Sequence, residues 1–334
     1  MARAGNRWKR RAASLRGALA AVLLLLAVSP GAAREFRAAD SQPPDYPSVE
    51  ALRVMAGLVA ERSGGRHTIR VYDSARLGQE ADTVDMTRAG VIDINRLNIS
   101  TFNDRLPETL IPAMPYLFRD EERLLRVLEG PVGAEILAAF SRLELVGLAF
   151  VETCPRSFYT VGGPLAAPAD FRGKRLRTLP GEAMAALIEG LGGTAVRMPY
   201  RQIGTALATG LIDGAENNLL AYREIGHFRL APYVTLTRHS FSPGVLVMAR
   251  KSWDALEPAD QRLFQDAARE VTERLRRDWP AREAAARLAL AAEGVELAEI
   301  DAAPLAAAMG PVHESFAAAH PEVRALLARV RGVP

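Results

Sequence analysis

The sequence predicts an α/β fold of two lobes with a cleft between them, followed by a helical C-terminal region. Three observations support this prediction. Short β-branched or apolar runs alternate with helical patterns, which favours parallel-rich sheets covered by helices. The alternation pauses near Val151 and starts again near Arg175, so two such units are expected. After Pro258 the helical pattern is almost continuous.

The first unit is built from four strands and four helices. Alternation, apolar periodicity and turn residues predict strands over Arg34–Asp40, His67–Tyr72, Val91–Ile94 and Leu145–Val151. The same signals predict helices over Pro47–Arg62, Glu80–Gly90, Glu121–Leu128 and Val132–Leu143. The strand from Leu145 is apolar throughout, which is typical of a strand buried on both faces.

The second unit repeats the pattern before a last buried strand. Strands are predicted over Arg175–Thr178, Ala195–Met198, Leu211–Gly214 and Gly244–Ala249, and helices over Glu182–Leu191 and Arg201–Thr209. In the helical segment that follows, breaks are expected at Trp279-Pro280 and at Gly294.

The N-terminus has the pattern of an export signal. Six basic residues precede the apolar run Gly17–Val28, and the small residues of Ser29–Ala33 follow it. A basic region, a short apolar core and a cleavage zone predict a signal peptide over residues 1–33 and a periplasmic mature protein. The alternative is a membrane-anchoring helix, but this run is only about half of the ~20 apolar residues that span a bilayer. Arg10-Arg11 leaves the export route, general or twin-arginine, open.

Charge and cysteine content exclude several classes of protein. The whole chain is formally +3, but the leader holds six of the 42 basic residues and none of the 39 acidic ones, so the remainder is formally −3. No basic block remains that would favour a nucleic acid or a membrane surface as partner. The single cysteine, Cys154, excludes an internal disulfide.

No motif for catalysis or for a cofactor stands out. The chain lacks a nucleophile elbow, a phosphate-binding loop and an HExxH sequence, and its five histidines lack metal-ligand spacing. The sequence therefore predicts a binding protein without cofactor or metal rather than an enzyme. A periplasmic enzyme acting on organic acids, with Arg177 holding the substrate, stays open as the alternative.

An ordered series of motifs in the middle of the chain indicates a family. Its main parts are Gly173–Arg177, Gly192–Pro199 and Ala206–Asn218, with further matches at Leu77-Gly78, Gly90–Asp93, Pro115–Asp120, Arg156, Thr237–His239 and Ser252–Leu256. The series resembles the solute-binding receptors of tripartite ATP-independent periplasmic (TRAP) transporters, the DctP-like family. The likeness runs from about Phe36 to about Leu263.

The resemblance implies a two-lobe, periplasmic binding protein-like class II fold that closes on one small anionic solute. Its partners would be the small and large permease subunits in the membrane, or alternatively a membrane sensor kinase, and the receptor itself is expected to be a monomer. Lobe I would comprise residues 34–154 plus about 243–282. Lobe II would comprise residues 155–242 plus about 283–334 with the C-terminal helices, and a hinge-spanning helix would fall within Pro258–Trp279.

Arg177 and Asn217 are the site residues that the resemblance implies most directly. Arg177 matches the family's carboxylate-anchoring arginine, and a planar guanidinium offers two parallel donors to a carboxylate. Asn217 matches an asparagine whose neutral amide can donate to the same carboxylate. Asn218 is a further candidate for contact with the solute. The alternative is that Asn217 or Asn218 caps the next helix, and the favoured division is that Asn218 caps it while Asn217 faces the solute.

Five other residues complete the predicted site. Arg156 resembles a second arginine that reaches solute oxygens, and Tyr200 an aromatic that packs on the solute or else belongs to the core. On the first lobe, Asn98 falls where family members place a polar residue that contacts the solute. Asp40 and Tyr46 could bind sugar hydroxyls or shape the turn into the first helix. Two nearby carboxylates, Asp213 and Glu216, are expected to be structural and to pair with Arg197 or Arg201.

The expected solute is a sugar acid, either a uronate or an aldonate. The polar candidate residues provide more hydrogen-bonding groups than a C4-dicarboxylate or a short hydroxy or keto acid can use. A sugar acid can use them, because each of its hydroxyls needs a partner once it is desolvated. Those smaller acids stay open as alternatives.

Overall fold

The computed structural model describes residues 34–333, so the predicted signal peptide lies outside the described residues. The strands are β1 (Arg34–Ala39), β2 (His67–Tyr72), β3 (Ile94–Asn98), β4 (Leu145–Val151), β5 (Arg156–Thr160), β6 (Arg175–Thr178), β7 (Thr194–Arg197), β8 (Gly214–Asn217), β9 (Tyr233–Ser240), β10 (Gly244–Ala249) and β11 (Glu296–Ala298). The helices are α1 (Pro47–Arg62), α2 (Glu80–Arg88), α3 (Leu110–Ala113), α4 (Glu121–Leu128), α5 (Pro131–Ala139), α6 (Glu182–Gly190), α7 (Ile203–Ala208), α8 (Leu219–Glu224), α9 (Arg250–Asp254), α10 (Pro258–Ala292), α11 (Ala303–Ala307), α12 (Gly310–Ala319) and α13 (Pro321–Arg331).

The strands form two sheets, which confirms the predicted α/β fold of two lobes. The first sheet has the order β2-β1-β3-β10-β4 and the second β11-β9-β5-β8-β6-β7. Both are mixed rather than parallel-rich, because β10 runs antiparallel to β3 and β4, and β5 runs antiparallel to β8 and β9. The chain passes between the sheets after β4, after β9 and again after β10.

Helix α1 shows why the strongly patterned elements form where the sequence predicts them. Pro47 occupies the first turn, where a missing N–H costs nothing, and Arg62 lies in the last turn beside the negative end of the helix dipole. Leu52, Met55 and Val59 form a buried stripe at helical spacing. Burial of each such side chain stabilises the fold by about 1.5–3 kcal/mol.

Helix α10 is one continuous helix of 35 residues and corrects the break predicted at Trp279-Pro280. An interior proline costs a helix about 3 kcal/mol or more. Packing offsets this cost, because Phe264 and Trp279 belong to the core under the first sheet and Leu290 belongs to a core of the second. The helix is therefore longer than the predicted hinge-spanning segment and contacts both lobes.

Three strands were missed by the periodicity analysis: β5, β9 and β11. Strand β9 joins β5 to β11, and β11 has only three residues, too few for alternation to be visible in the sequence. The chain after α10 is consequently not wholly helical. Helices α12 and α13 share a hydrophobic core with α6, to which Phe316, Val323, Met184 and Leu187 belong.

Two predicted strands are displaced toward the C-terminus. Strand β3 covers Ile94–Asn98 instead of Val91–Ile94, and β8 covers Gly214–Asn217 instead of Leu211–Gly214. Val91 and Leu211 are 43% and 56% exposed, so these apolar residues lie in turns and do not belong to the sheets. The displacement makes Asn98 and Asn217 the last residues of their strands.

Within residues 34–333, no helix combines the length and the apolar character that crossing a membrane requires. Cys154 is a buried free thiol.

Candidate functional site

A cavity of about 310 Å³ lies where the carboxyl ends of the parallel strands in the two sheets face each other. In open α/β sheets this edge is the usual place for a ligand. Seven of the eight sequence-predicted residues line the cavity, all except Asp40: Tyr46, Asn98, Arg156, Arg177, Tyr200, Asn217 and Asn218. The rest of the lining comes from Ser41, Gln42, Gln79, Glu80, Ala81, Arg96, Asp104, Leu179, Pro180, Gly181, Arg197, Met198 and Pro199.

Arg177 is a buried cation without an acidic partner. Its side chain lies on β6, only 1% of the residue is exposed, and it forms no ion pair with any residue from 34 to 333. Nε and Nη2 donate to the carbonyl oxygen of Met198 at 3.1 and 3.0 Å, while Nη1 has no partner. Burial lowers the pKa of the guanidinium. A desolvated cation with a free donor is an anion-binding position.

Asn217 and Asn218 lie beside Arg177 because β6 and β8 are parallel neighbours. The Asn217 Oδ1 accepts the backbone N–H of Asn218 at 2.9 Å, which fixes the orientation of the amide. The Asn218 Oδ1 accepts the backbone N–H of Ala221 at 2.8 Å and caps α8, as the alternative interpretation expected. The Asn218 Nδ2 also donates to the Tyr46 hydroxyl at 3.0 Å, which connects the two sides of the cavity.

Arg156, in contrast, is neutralised by the protein itself. Its Nε donates to Glu216 Oε2 at 2.5 Å, and its Nη2 donates to the Glu216 carbonyl oxygen at 3.1 Å. Burial acts to raise the pKa of Glu216, but Arg156 and the nearby His239 hold it at about 2. The structure therefore corrects the predicted partners of both carboxylates: Glu216 pairs with Arg156, and Asp213 pairs with Arg175 at 2.8 Å.

The opposite wall holds two residues that sequence analysis missed, Arg96 and Glu80. Arg96 lies on β3, is 5% exposed, and pairs with Glu80 at 3.3 Å and with Glu152. Burial acts to lower the pKa of Arg96, but Glu152, Asp40 and Glu80 together raise it. With β3 in its observed position, Arg96 and Asn98 share one face of the strand. The predicted strand ended at Ile94, so the alternation that places Arg96 beside Asn98 was not recognised in the sequence.

Asp40 stays outside the cavity lining. Its carboxylate accepts the backbone N–H of Gln42 at 2.9 Å and the Ser48 hydroxyl at 2.6 Å, so it shapes the turn into α1. This is the alternative role that the sequence left open. Burial raises the pKa of this carboxyl to about 7.

The remaining predicted residues line the cavity but already have protein partners. The Asn98 amide donates to the Ser242 carbonyl oxygen at 2.8 Å and accepts the Ser100 N–H at 2.9 Å. The Tyr200 hydroxyl donates to the Ala221 carbonyl oxygen at 3.3 Å, and its ring centre lies 6.0 Å from the guanidinium carbon of Arg177. Tyr46 is 1% exposed and packs edge-on against Trp279.

A larger cavity of about 430 Å³ lies between α4, β4 and α10, and none of the predicted site residues lines it. Its arginines are already paired, Arg276 with Glu129 and Arg269 with Asp266. The acidic Glu121 and Glu273 add to its wall, so the larger cavity does not favour an anion. Among the described residues, no group of three or more His, Cys, Asp or Glu side chains could hold a metal ion.

Comparisons with known proteins agree on one family. The model of the bacterial extracellular solute-binding proteins, family 7 (DctP), matches residues 38–320. A solute-binding protein of Chromohalobacter salexigens is 30% identical over 316 residues, which is 94% of each chain.

Solved structures are similar over almost the same length. A TRAP periplasmic solute-binding protein from Bradyrhizobium sp. BTAi1, in complex with α/β-D-galacturonate, is 39% identical with a TM-score of 0.86. One from Roseobacter denitrificans, with bound β-D-glucuronate, is 32% identical with a TM-score of 0.88. Each match covers 90% of this chain and all of the other.

Proposed function

Because the chain belongs to the bacterial extracellular solute-binding proteins of family 7, we propose that it is the receptor of a TRAP transporter and that it captures a uronate. The family resemblance inferred from the sequence is thereby confirmed. The ligand is the step beyond membership, and two kinds of support favour a uronate. One is the chemistry of the cavity, and the other is that similar solved structures hold galacturonate or glucuronate.

The observation that carries this proposal is the unpaired guanidinium of Arg177. A buried cation is costly unless it is paired, and a ligand carboxylate supplies the missing charge together with an acceptor for Nη1. Asn217 lies on the neighbouring strand, where its amide can donate to the same carboxylate. A carboxylate-bearing solute is therefore the ligand that this wall favours.

The rest of the cavity supports a sugar rather than a simple acid. Gln42, Gln79 and Glu80 offer donors and acceptors on the wall opposite Arg177. Sugar hydroxyls can use these groups, since each hydroxyl both donates and accepts. A C4-dicarboxylate has no hydroxyl run to use the amides of Gln42 and Gln79, so it would gain less from this wall.

As a receptor, the protein would bind its solute without converting it and would deliver it to the small and large permease subunits as a periplasmic monomer. The proposed lobes, residues 34–154 with about 243–282 and residues 155–242 with about 283–334, would close on the solute. Ligand contacts made to both lobes would shift the equilibrium toward the closed form.

The test is binding by the purified mature chain. Thermal shift and isothermal titration calorimetry would compare D-galacturonate, D-glucuronate, D-gluconate, succinate, malate and lactate. We expect saturable binding of a uronate and recovery of the bound uronate unchanged after denaturation of the complex. Stabilisation by succinate or malate alone would overturn the uronate assignment, and conversion of the uronate would overturn the receptor assignment.

A further inference from the structure

We propose that the wall formed by Glu80 and Arg96, with Glu152 paired to Arg96 behind it, makes the receptor selective for a solute with one carboxylate and rejects a sugar acid that carries a second carboxylate at its other end. This inference rests on the proposed function and narrows its ligand class. It assigns a specificity-determining role to Glu80, a residue that sequence analysis did not single out.

The buried arginines around the cavity differ in their acidic partners. Of the buried arginines that line it, only Arg177 lacks a carboxylate partner within residues 34–333. Arg156 is balanced by Glu216. Arg96 is already paired with Glu80 at the cavity wall and with Glu152 behind it, so this end of the cavity offers no free cation to a second ligand carboxylate. One anionic group of a ligand is thus attracted, and a second one is opposed.

Glu80 is held firmly at this position. Its Oε1 accepts hydrogen bonds from Ser41 Oγ at 3.1 Å and from Arg96 at 3.3 Å. Its Oε2 accepts from Thr101 Oγ1 at 3.2 Å and from the backbone N–H of Asn98 at 3.3 Å. Four donors from two chain segments hold the carboxylate in place, yet 16% of its side chain remains exposed. A ligand can therefore reach it.

The pair between Arg96 and Glu152 is equally constrained. A Cβ atom at Gly244 would lie 2.8 Å from Glu152 Oε2 and 2.9 Å from Arg96 Nε. The backbone of β10 therefore packs directly on the ion pair, and Arg96 has little room to turn toward a second ligand carboxylate. A sugar hydroxyl suits the same place, because it can donate to Glu80 and accept from Arg96. A carboxylate can only accept and adds repulsion with Glu80.

Other charged residues of the lining do not change this balance. Asp104 adds a further negative charge. Arg197 lines the cavity but is solvent-exposed, where water screens its charge. Neither residue supplies a buried cation for a second carboxylate.

The test compares D-galacturonate with galactarate, the dicarboxylate of the same carbon skeleton, by calorimetry at pH 7.5. We expect the wild type to bind galacturonate at least about 100-fold more tightly, the order of magnitude of a like-charge penalty. In Glu80→Gln this ratio should fall at least about tenfold, mainly through tighter binding of galactarate. The two ligands also differ in shape, as a sugar ring and an open chain. This difference affects the wild type and Glu80→Gln alike, so it cancels when their affinity ratios are compared.

Two further variants complete the design. Glu152→Gln removes the other carboxylate from Arg96 and should lower the ratio in the same direction, so a folding defect of one variant does not leave the test undecided. Asp85→Asn changes an exposed carboxylate on the same helix as Glu80 and should leave the ratio unchanged.

Equal affinity of the wild type for both acids would overturn this inference alone. A large ratio that neither Glu80→Gln nor Glu152→Gln reduces would also overturn it, because shape rather than charge would then select the ligand. Absence of galacturonate binding to the wild type would overturn the proposed uronate ligand and this inference with it.

Discussion

Replacing Arg177 with methionine should have opposite effects on ligand binding and on the stability of the ligand-free protein. The side chain is 1% exposed and has no ion-pair partner among residues 34–333, so until a ligand arrives its charge is compensated only at longer range, chiefly by Glu216. Methionine has similar length and no charge. The substitution therefore removes both the anchor for a carboxylate and a source of instability.

The expected magnitudes follow from the geometry. Breaking a buried charge pair costs about 3–5 kcal/mol, which corresponds to a loss of about 10²- to 10³-fold or more in affinity. In the free protein, the loss of two hydrogen bonds to the Met198 carbonyl oxygen costs about 1 kcal/mol each. Relief of the unpaired charge offsets that cost, since desolvation of an unpaired ion costs several kcal/mol. The melting temperature without ligand should therefore equal or exceed that of the wild type.

Calorimetry with galacturonate and thermal unfolding without ligand measure the two effects separately. Arg175→Met is the matched control, because Arg175 lies on the same strand but is exposed and paired with Asp213. The control should bind like the wild type. An affinity of Arg177→Met within fivefold of the wild type would refute the role of Arg177 as anchor. A clear fall in its melting temperature would refute the reasoning about the unpaired charge.

Three further predictions test the surroundings of the cavity. The folded-state pKa of Asp40, about 7 against 3.8 for the free side chain, means that the folded protein keeps a proton that the unfolded chain releases. The contribution of Asp40 to the free energy of unfolding should therefore fall from about pH 4 to pH 7, and the difference between wild type and Asp40→Asn in urea unfolding should change accordingly across that range. Glu216→Gln should lower the free energy of unfolding by about 3–5 kcal/mol at pH 7, because it leaves Arg156 buried and unpaired. Equal urea midpoints for the variant and the wild type would contradict this prediction. Gly181→Ala should weaken galacturonate binding in calorimetry. Residue 181 has φ +97°, and an added Cβ would lie 2.3 Å from the Ser100 carbonyl oxygen. Unchanged affinity would show that this close approach is not needed for binding.

The sequence determined the elements whose signal is local. Helix α1 and strands β2, β4 and β10 have the bounds that periodicity and apolar runs predict, because burial on one face or on both faces leaves a repeating pattern in the chain. The ordered motifs around Arg177 and Asn217 were also enough to identify the family, because they combine turn glycines with polar residues at strand ends. Roles of individual residues in binding stay predictions until they are measured.

The tertiary structure alone decided which charges meet. Glu80 and Glu152 are 16 and 56 residues away from Arg96 in sequence, and Glu216 is 60 residues away from Arg156. No periodicity encodes such pairs, so the sequence assigned the wrong partners to Glu216 and did not single out Glu80. Contacts between distant segments also explain why α10 continues through Pro280. The sequence reveals the local cost of an interior proline, but the packing of the helix on two cores, which offsets that cost, is visible only in the folded structure. Local patterns report burial, whereas the balance of charge around the cavity depends on contacts between distant segments, which exist only once the chain has folded.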